Sequence, residues 1–264
     1  MRNVVKEFPA EPFDLQKILN LIKILQDDNS PQEKVIVILG ATSTGKSSLA
    51  IKLAEILQTE IISADSMAVY KNFDVGTAKP TAEELKKIPH HLINILSAEE
   101  KFSVVEFIRR AEKIIAEINL QKKIPVIVGG TGLYIQALLE GYHFDREKSQ
   151  SKNFSATGKL NYNALVIGLT TDREKLYNRI DLRTKKMFDA GLVEEVQRLL
   201  SAGISADAQA MLGIGYKEVL EHLQDKLTVE ETISKVAQDT RNFAKRQLTW
   251  FRRMNYIKWF ATED

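Results

Sequence analysis

An apolar run at residues 35–39, Val-Ile-Val-Ile-Leu, leads directly into Gly40-Ala41-Thr42-Ser43-Thr44-Gly45-Lys46-Ser47, after which Leu49, Leu53, Ile56 and Leu57 recur at helical spacing. A buried strand, a GxxxxGK[ST] loop and a helix in that order leave few options for the fold. The unit is the first half of a βαβ crossover, and its strand is apolar without alternation, as expected where both sheet faces are covered. The two glycines let backbone N–H groups converge on phosphate oxygens, and the helix N-terminus adds positive potential. Lys46 neutralises terminal phosphate charge, and the Ser47 hydroxyl can ligate Mg²⁺. The motif specifies a diphosphate or triphosphate group without saying whose it is.

Further short apolar runs alternate with helical patterns: strands are expected at 60–63, 92–95, 125–128 and 164–169. The fold class is therefore α/β, a P-loop-type parallel sheet flanked by helices with a helical C-terminal part. The stretch after Phe102 shows the pattern, with Ser103 and Glu106 spaced as a capping box and Val104, Ile108, Ala111, Ile115 and Ile118 on one helical face. Residues 1–33 read as an N-terminal extension with a helix around Leu15 to Leu25 and then a linker. Residues 34–141 form the catalytic core, 142–163 a polar flexible connector, and 164–264 the rest of the core, helical throughout after Thr171.

With 264 residues, 44% of them hydrophobic, the chain can bury a full core. A net charge of +2 from 37 basic and 35 acidic residues announces no nucleic-acid partner, so that argument needs local clustering. The absence of cysteine excludes disulfides, thiolate metal sites and cysteine nucleophiles. With no apolar run near membrane-spanning length and no signal-like N-terminus, a cytoplasmic enzyme away from membranes is expected; a monomer is expected as well.

Two further features bear on chemistry. The acid expected at the end of a later strand is missing, since 125–128 ends in Gly129-Gly130-Thr131-Gly132; Asp65 instead follows the strand at 60–63, on the edge where open α/β sheets bind ligands. From spacing alone Asp65 is equally a magnesium ligand, a general base or an N-cap. The second feature is the stretch 240–262, which has no acidic residue. In it Arg241, Lys245 and Arg252 fall within roughly 40° on a helical wheel, beside an apolar stripe of Ile233, Ala237, Ala244, Leu248 and Phe251. Such a face suits RNA phosphates, or is simply solvated.

The series GATSTGKSSLA, EIISADSMAVYKNFDVGTAKP, PHHLINI, IPVIVGGTGLYIQALLEG, DREKLYNRIDLRTKKMFDAGLVEEV, GIGYKEV and TRNFAKRQLTWFRR resembles the bacterial tRNA dimethylallyltransferase family over residues 35–144 and 164–260. The resemblance implies transfer of a dimethylallyl group from dimethylallyl diphosphate to the exocyclic amine of an adenosine in a tRNA anticodon stem-loop, with Mg²⁺ as cofactor. It implies that the loop from Gly40 to Ser47 holds the diphosphate with Arg179 and Arg183 closing over it, and that Asp65 is the general base, acting with Lys46 and Thr131. It further implies that Asp65, Ser66, Met67, Ala68 and Thr131 contact tRNA. Two alternatives stand beside this: a prenyltransferase acting on free AMP, ADP or ATP, and a P-loop kinase. The chain departs from the family where residues 142–163 occupy an interval that usually holds a helical insertion of several dozen residues gripping the anticodon stem. Residues 1–33 are also extra.

Overall fold

The computed structural model describes residues 9–143, 153–154 and 159–263. In chain order its elements are β1 (Glu11–Pro12), α1 (Leu15–Asp27), β2 (Lys34–Gly40), α2 (Lys46–Leu57), β3 (Ile61–Ser63), α3 (Ala82–Lys87), β4 (His90–His91), α4 (Val104–Leu120) and β5 (Val126–Gly129). There follow α5 (Gly132–Glu140), β6 (Tyr142–His143), β7 (Asn153–Phe154), β8 (Asn163–Thr170), α6 (Arg173–Asp189), α7 (Leu192–Ser201), a 3₁₀ turn (Gln209–Leu212), α8 (Tyr216–Leu223), α9 (Val229–Phe251) and β9 (Lys258–Ala261).

Seven strands form one sheet in the order β1-β9-β8-β2-β5-β3-β4, with every pairing parallel. β2 is central, so the loop after it opens at the C-terminal edge between β5 and β8. The apolar run explains its burial on both sides. Val35, Val37 and Leu39 face a core shared with α4, α5, α7 and α8, while Ile36 and Ile38 face a second core with α1 and α2. The helical C-terminal part packs on the first of these faces through Leu192, Val196, Tyr216, Val219 and Phe251.

Four expectations need correction. The strand expected at 92–95 is displaced to His90–His91, because Leu92 and Asn94 have φ values of +61° and +56° and cannot continue an extended chain. The chain is not helical throughout after Thr171: α9 ends at Phe251, and Lys258–Ala261 inserts as β9 between β8 and β1. There Trp259 lies over Gly168, where an added Cβ would come within 2.5 Å of the indole. The capping box at α4 is only half formed. Ser103 Oγ accepts from Glu106 N, but the Glu106 carboxylate turns to Arg109 and Arg110. Finally, the N-terminal extension is more than a helix and a linker. β1 pairs with β9, and α1 buries Ile18, Ile22 and Leu25.

The connector at 142–163 lies largely outside the described residues; within it β6 and β7 pair antiparallel. Because Trp259 is 8% exposed and closes the β8 face, Trp259→Ala should lower stability by about 3–5 kcal/mol. Urea denaturation, read as a shift of the midpoint at constant slope, checks this.

Candidate active site

The phosphate loop is shaped by backbone conformations that glycine permits. Gly45 caps α2 at φ +87°, and Gly40 at φ +147° lies so close to β8 that a Cβ would meet Leu169 O at 2.3 Å. Within the loop Thr44 Oγ1 donates to Ala41 O at 2.8 Å and Lys46 Nζ donates to the same oxygen at 2.6 Å. Two side chains from the C-terminal helices reach it. Arg183 of α6 donates to Thr42 Oγ1 at 3.1 Å, and Gln247 of α9 accepts from Thr42 N at 2.9 Å while donating to Gly130 O at 2.9 Å.

Two adjoining clefts open here. The smaller, about 140 Å³, is lined by Lys46, Ser47, Asp65, Thr77, Lys79 and His90. The larger, about 370 Å³, is lined by Asp65, Ser66, Met67, Thr131, Tyr216 and Arg246. Thr42, Asp65, Thr77, Gly130, Arg183, Phe243 and Gln247 line both, so the boundary between them runs past the Asp65 carboxylate.

Asp65 Oδ1 accepts from Met67 N at 2.8 Å and Ala68 N at 3.3 Å, so the turn-capping geometry is present. Among the described residues Oδ2 receives no hydrogen bond. Capping thus orients the carboxylate without occupying its second oxygen. Thr131 sits at the start of α5, and its Oγ1 accepts from Ser66 N at 3.3 Å, tying the loop after β5 to the one after β3. Gly129 permits this approach, since a Cβ there would lie 2.2 Å from Ala64 O.

Charge is concentrated at the boundary. Burial first, and the Arg183 guanidinium second, push the Lys46 ammonium down to about 7, with Asp65 opposing both. Burial also lowers Arg183, again opposed by Asp65, though a guanidinium stays charged. Among the described residues no group of three or more His, Cys, Asp or Glu side chains could hold a metal ion. The donors available are instead the Ser47 hydroxyl and the Asp65 carboxylate, both on the smaller cleft. That set fits Mg²⁺ held by one or two protein oxygens together with phosphate oxygens.

Several predicted residues are placed elsewhere. Arg179 lines neither cleft: it donates to Thr262 Oγ1 at 3.3 Å and Glu263 O at 3.4 Å, one turn of α6 away from Arg183. Arg241 is paired with Asp181 of α6 and lies 5.8 Å over the Tyr177 ring, so it ties two helices together. Lys245 and Arg252 are exposed, the latter as the C-cap of α9. Phe251 is fully buried, and Trp250 packs on Gly132. Gln247, Glu195 and Lys79 were not singled out from the sequence. A glutamine in a basic helix and one acid of a Glu-Glu pair both read as solvated, and Lys79 was legible only as part of the quoted VGTAKP string.

Comparison with known proteins gives a consistent picture. The family model described as "IPP transferase" matches residues 68–157 and 143–254, two stretches that meet within the connector. The tRNA dimethylallyltransferase of Bacillus cereus (strain AH187) is 40% identical over 88% of this chain and 91% of its own length. That of Carboxydothermus hydrogenoformans is 41% identical over 86% and 92%. The first alignment runs over 290 positions, more than this chain has, so the relative carries several dozen residues that this chain lacks. The crystal structure of tRNA delta(2)-isopentenylpyrophosphate transferase from Staphylococcus epidermidis superposes with a TM-score of 0.79 at 35% identity, covering 87% of this chain and 93% of that one.

The Lys46 environment makes a direct prediction. An unfolded lysine titrates near 10.5 and the folded one near 7, so at pH 8 the unliganded Lys46 side chain is largely neutral and an anion must draw a proton onto it. With inorganic diphosphate as probe, the affinity advantage of the wild-type chain over Lys46→Met should shrink by up to about tenfold per pH unit above 7, and should be level below it. Isothermal titration of both proteins across pH 6–9 reads this out.

Proposed function

Because the chain belongs to the IPP transferase family, we propose that it is a tRNA dimethylallyltransferase, moving a five-carbon prenyl group from its diphosphate to the exocyclic amine of an adenosine in a tRNA anticodon loop. The observation that carries the reading is that Lys46 and Asp65 line one small cleft, and that this cleft joins a larger one past Asp65. A diphosphate seated on the loop from Gly40 to Ser47 would direct its allylic carbon toward the boundary. An unpaired base extruded from an RNA loop, at a cost of a few kcal/mol, would enter the larger cleft from the other side.

The steps follow from these residues. The adenine amine is a weak nucleophile because its lone pair is delocalised into the ring. As its nitrogen bonds to the allylic carbon, Asp65 Oδ2 accepts the amine proton. The C–O bond breaks, and its electron pair leaves with the diphosphate. Loop N–H groups, Lys46 and Arg183 stabilise the growing negative charge, and Lys46 exchanges its bond to Ala41 O for one to a diphosphate oxygen. Mg²⁺, held by Ser47 and phosphate oxygens, would supply further charge neutralisation to the leaving group. Thr131 holds the 65–68 turn in place through Ser66 and stands at the base-side cleft.

The names of the relatives favour tRNA over a free nucleotide as acceptor, and the exposed cations Lys245 and Arg252 suit a polyanion more than a mononucleotide. Arg246 stands at the larger cleft and extends that charge inward. We further take the chain to act as a monomer. Among the described residues no helix is long and apolar enough to cross a membrane. We place the activity in the cytoplasm with its tRNA substrate.

The deciding assay incubates the chain and Mg²⁺ with labelled dimethylallyl diphosphate and, separately, tRNA, AMP or ATP. Label should appear in tRNA; label in AMP or ATP alone would refute the acceptor. Asp65→Asn keeps the caps on Met67 N and Ala68 N but presents an amide N–H₂ to the incoming amine. It should fold and bind both substrates as the wild type does, while transfer slows by about 100-fold or more. Neutralising Lys245 and Arg252 together should flatten the salt dependence of tRNA binding by about 1.4 units in the log–log slope, at roughly 0.7 per phosphate contact. An unchanged slope in a fluorescence titration would show the face to be solvated only.

A further inference from the structure

Away from the phosphate loop, three consecutive backbone amides converge on a buried carboxylate. Glu195 of α7, 3% exposed, accepts from Asp74 N at 3.1 Å and Val75 N at 2.9 Å through Oε2. Its Oε1 accepts from Gly76 N at 3.3 Å and from the Tyr216 hydroxyl at 2.7 Å. Successive N–H groups turned to one point form the kind of concavity that binds anions. Here a side chain from 120 residues along the chain fills it.

What this carboxylate holds is a wall of the active site. The next residue, Thr77, lines both clefts, and Gly76 lines the larger one. Two further fixtures act on the same loop. Gly76 lies against the Tyr216 ring so closely that a Cβ would come within 2.4 Å. Lys79, its side chain 3% exposed, donates to Asp74 Oδ1 at 3.0 Å, Asn94 Oδ1 at 2.6 Å and Tyr70 O. Residues 74–76 lie outside helix and strand, so these amides depend on Glu195 where another segment would have a ladder partner.

We infer that Glu195 is a positioning residue for prenyl transfer: by gathering the amides of residues 74–76 and the Tyr216 hydroxyl, it sets the separation between the acceptor base and the diphosphate across Thr77. The inference rests on the prenyl-transfer reading above. It assigns Glu195 no contact with substrate. Its effect should fall on alignment, where displacement by about 1 Å costs on the order of 100-fold, and not on occupancy of either cleft.

Glu195→Gln tests it, because an amide has one acceptor oxygen and turns an N–H₂ toward at least one of the four donors. In steady-state assays normalised to folded sites, counted by diphosphate-binding stoichiometry, kcat should fall by about 100-fold while KM for tRNA and for dimethylallyl diphosphate stays within threefold. A purely structural carboxylate would instead lower the number of folded sites and leave kcat per site within threefold of wild type, and that result overturns the inference. Should Glu195→Gln not fold, Tyr216→Phe decides. It keeps the ring against Gly76 and the three amide bonds, and kcat per site should drop about threefold to tenfold with KM unchanged. A drop of less than twofold overturns the inference. If wild-type chain assayed in parallel transfers no prenyl group to tRNA, the functional reading fails instead, which keeps the two failures distinct.

Discussion

The Gln247 carboxamide accepts from the backbone of one loop and donates to another, with the phosphate loop after β2 on one side and the Gly130 carbonyl after β5 on the other. It is 6% exposed, so both bonds are made away from competing water and leaving either unmade would be costly. β2 and β5 are neighbours whose C-terminal ends meet at the site, and the carboxamide fixes how far apart their loops stand. Gly130 is the matching half of this constraint, since a Cβ there would lie 2.2 Å from Gln247 Nε2. Because Gln247 belongs to α9, the helix that presents Lys245 and Arg246 cannot shift without moving the floor of both clefts. Surface charge and reacting atoms are therefore held in one frame.

The electrostatics within that frame are arranged by helix α6 as much as by the loop. Arg183 reaches Thr42 and crowds Lys46, while Arg179, on the same helical face, braces residues 262–263. Two positions four apart share a face yet stand about 6 Å apart along the axis, enough here to separate a site residue from a structural one. Asp65 is the counter-charge to Lys46 and Arg183 together, and its own orientation is set by two backbone amides.

These arrangements explain which features were legible from the sequence. The strand, the loop and the helix of the phosphate site are contiguous, and each carries its own local signal, so their placement at the centre of a parallel sheet could be read directly. Asp65 could be placed at the end of the strand at 60–63, and the family resemblance added its role and Thr131, whose link through Ser66 involves residues 65 positions apart. Gln247 and Glu195 had no such signal. Each works through main-chain groups more than a hundred residues away, and main-chain partners leave no pattern in side-chain types. Strand β9 was missed for a different reason: four residues following a long helix are too few to show a period, and its burial is decided by Gly168 on the neighbouring strand. The expected strand at 92–95 failed on backbone angles that its apolar composition does not encode.

The pairing of β9 with β1 and β8 has a consequence for how the protein is made. Glu11 and Pro12 lie beside Phe260 and Ala261, so residues almost 250 positions apart complete one margin of the sheet. As the chain emerges from the ribosome, β8 is available well before the strand that covers it, and its outer edge of N–H and C=O groups stays open throughout synthesis of the helical part. During that interval the nascent protein is most exposed to edge-to-edge association with another copy, and to the chaperones that guard against it.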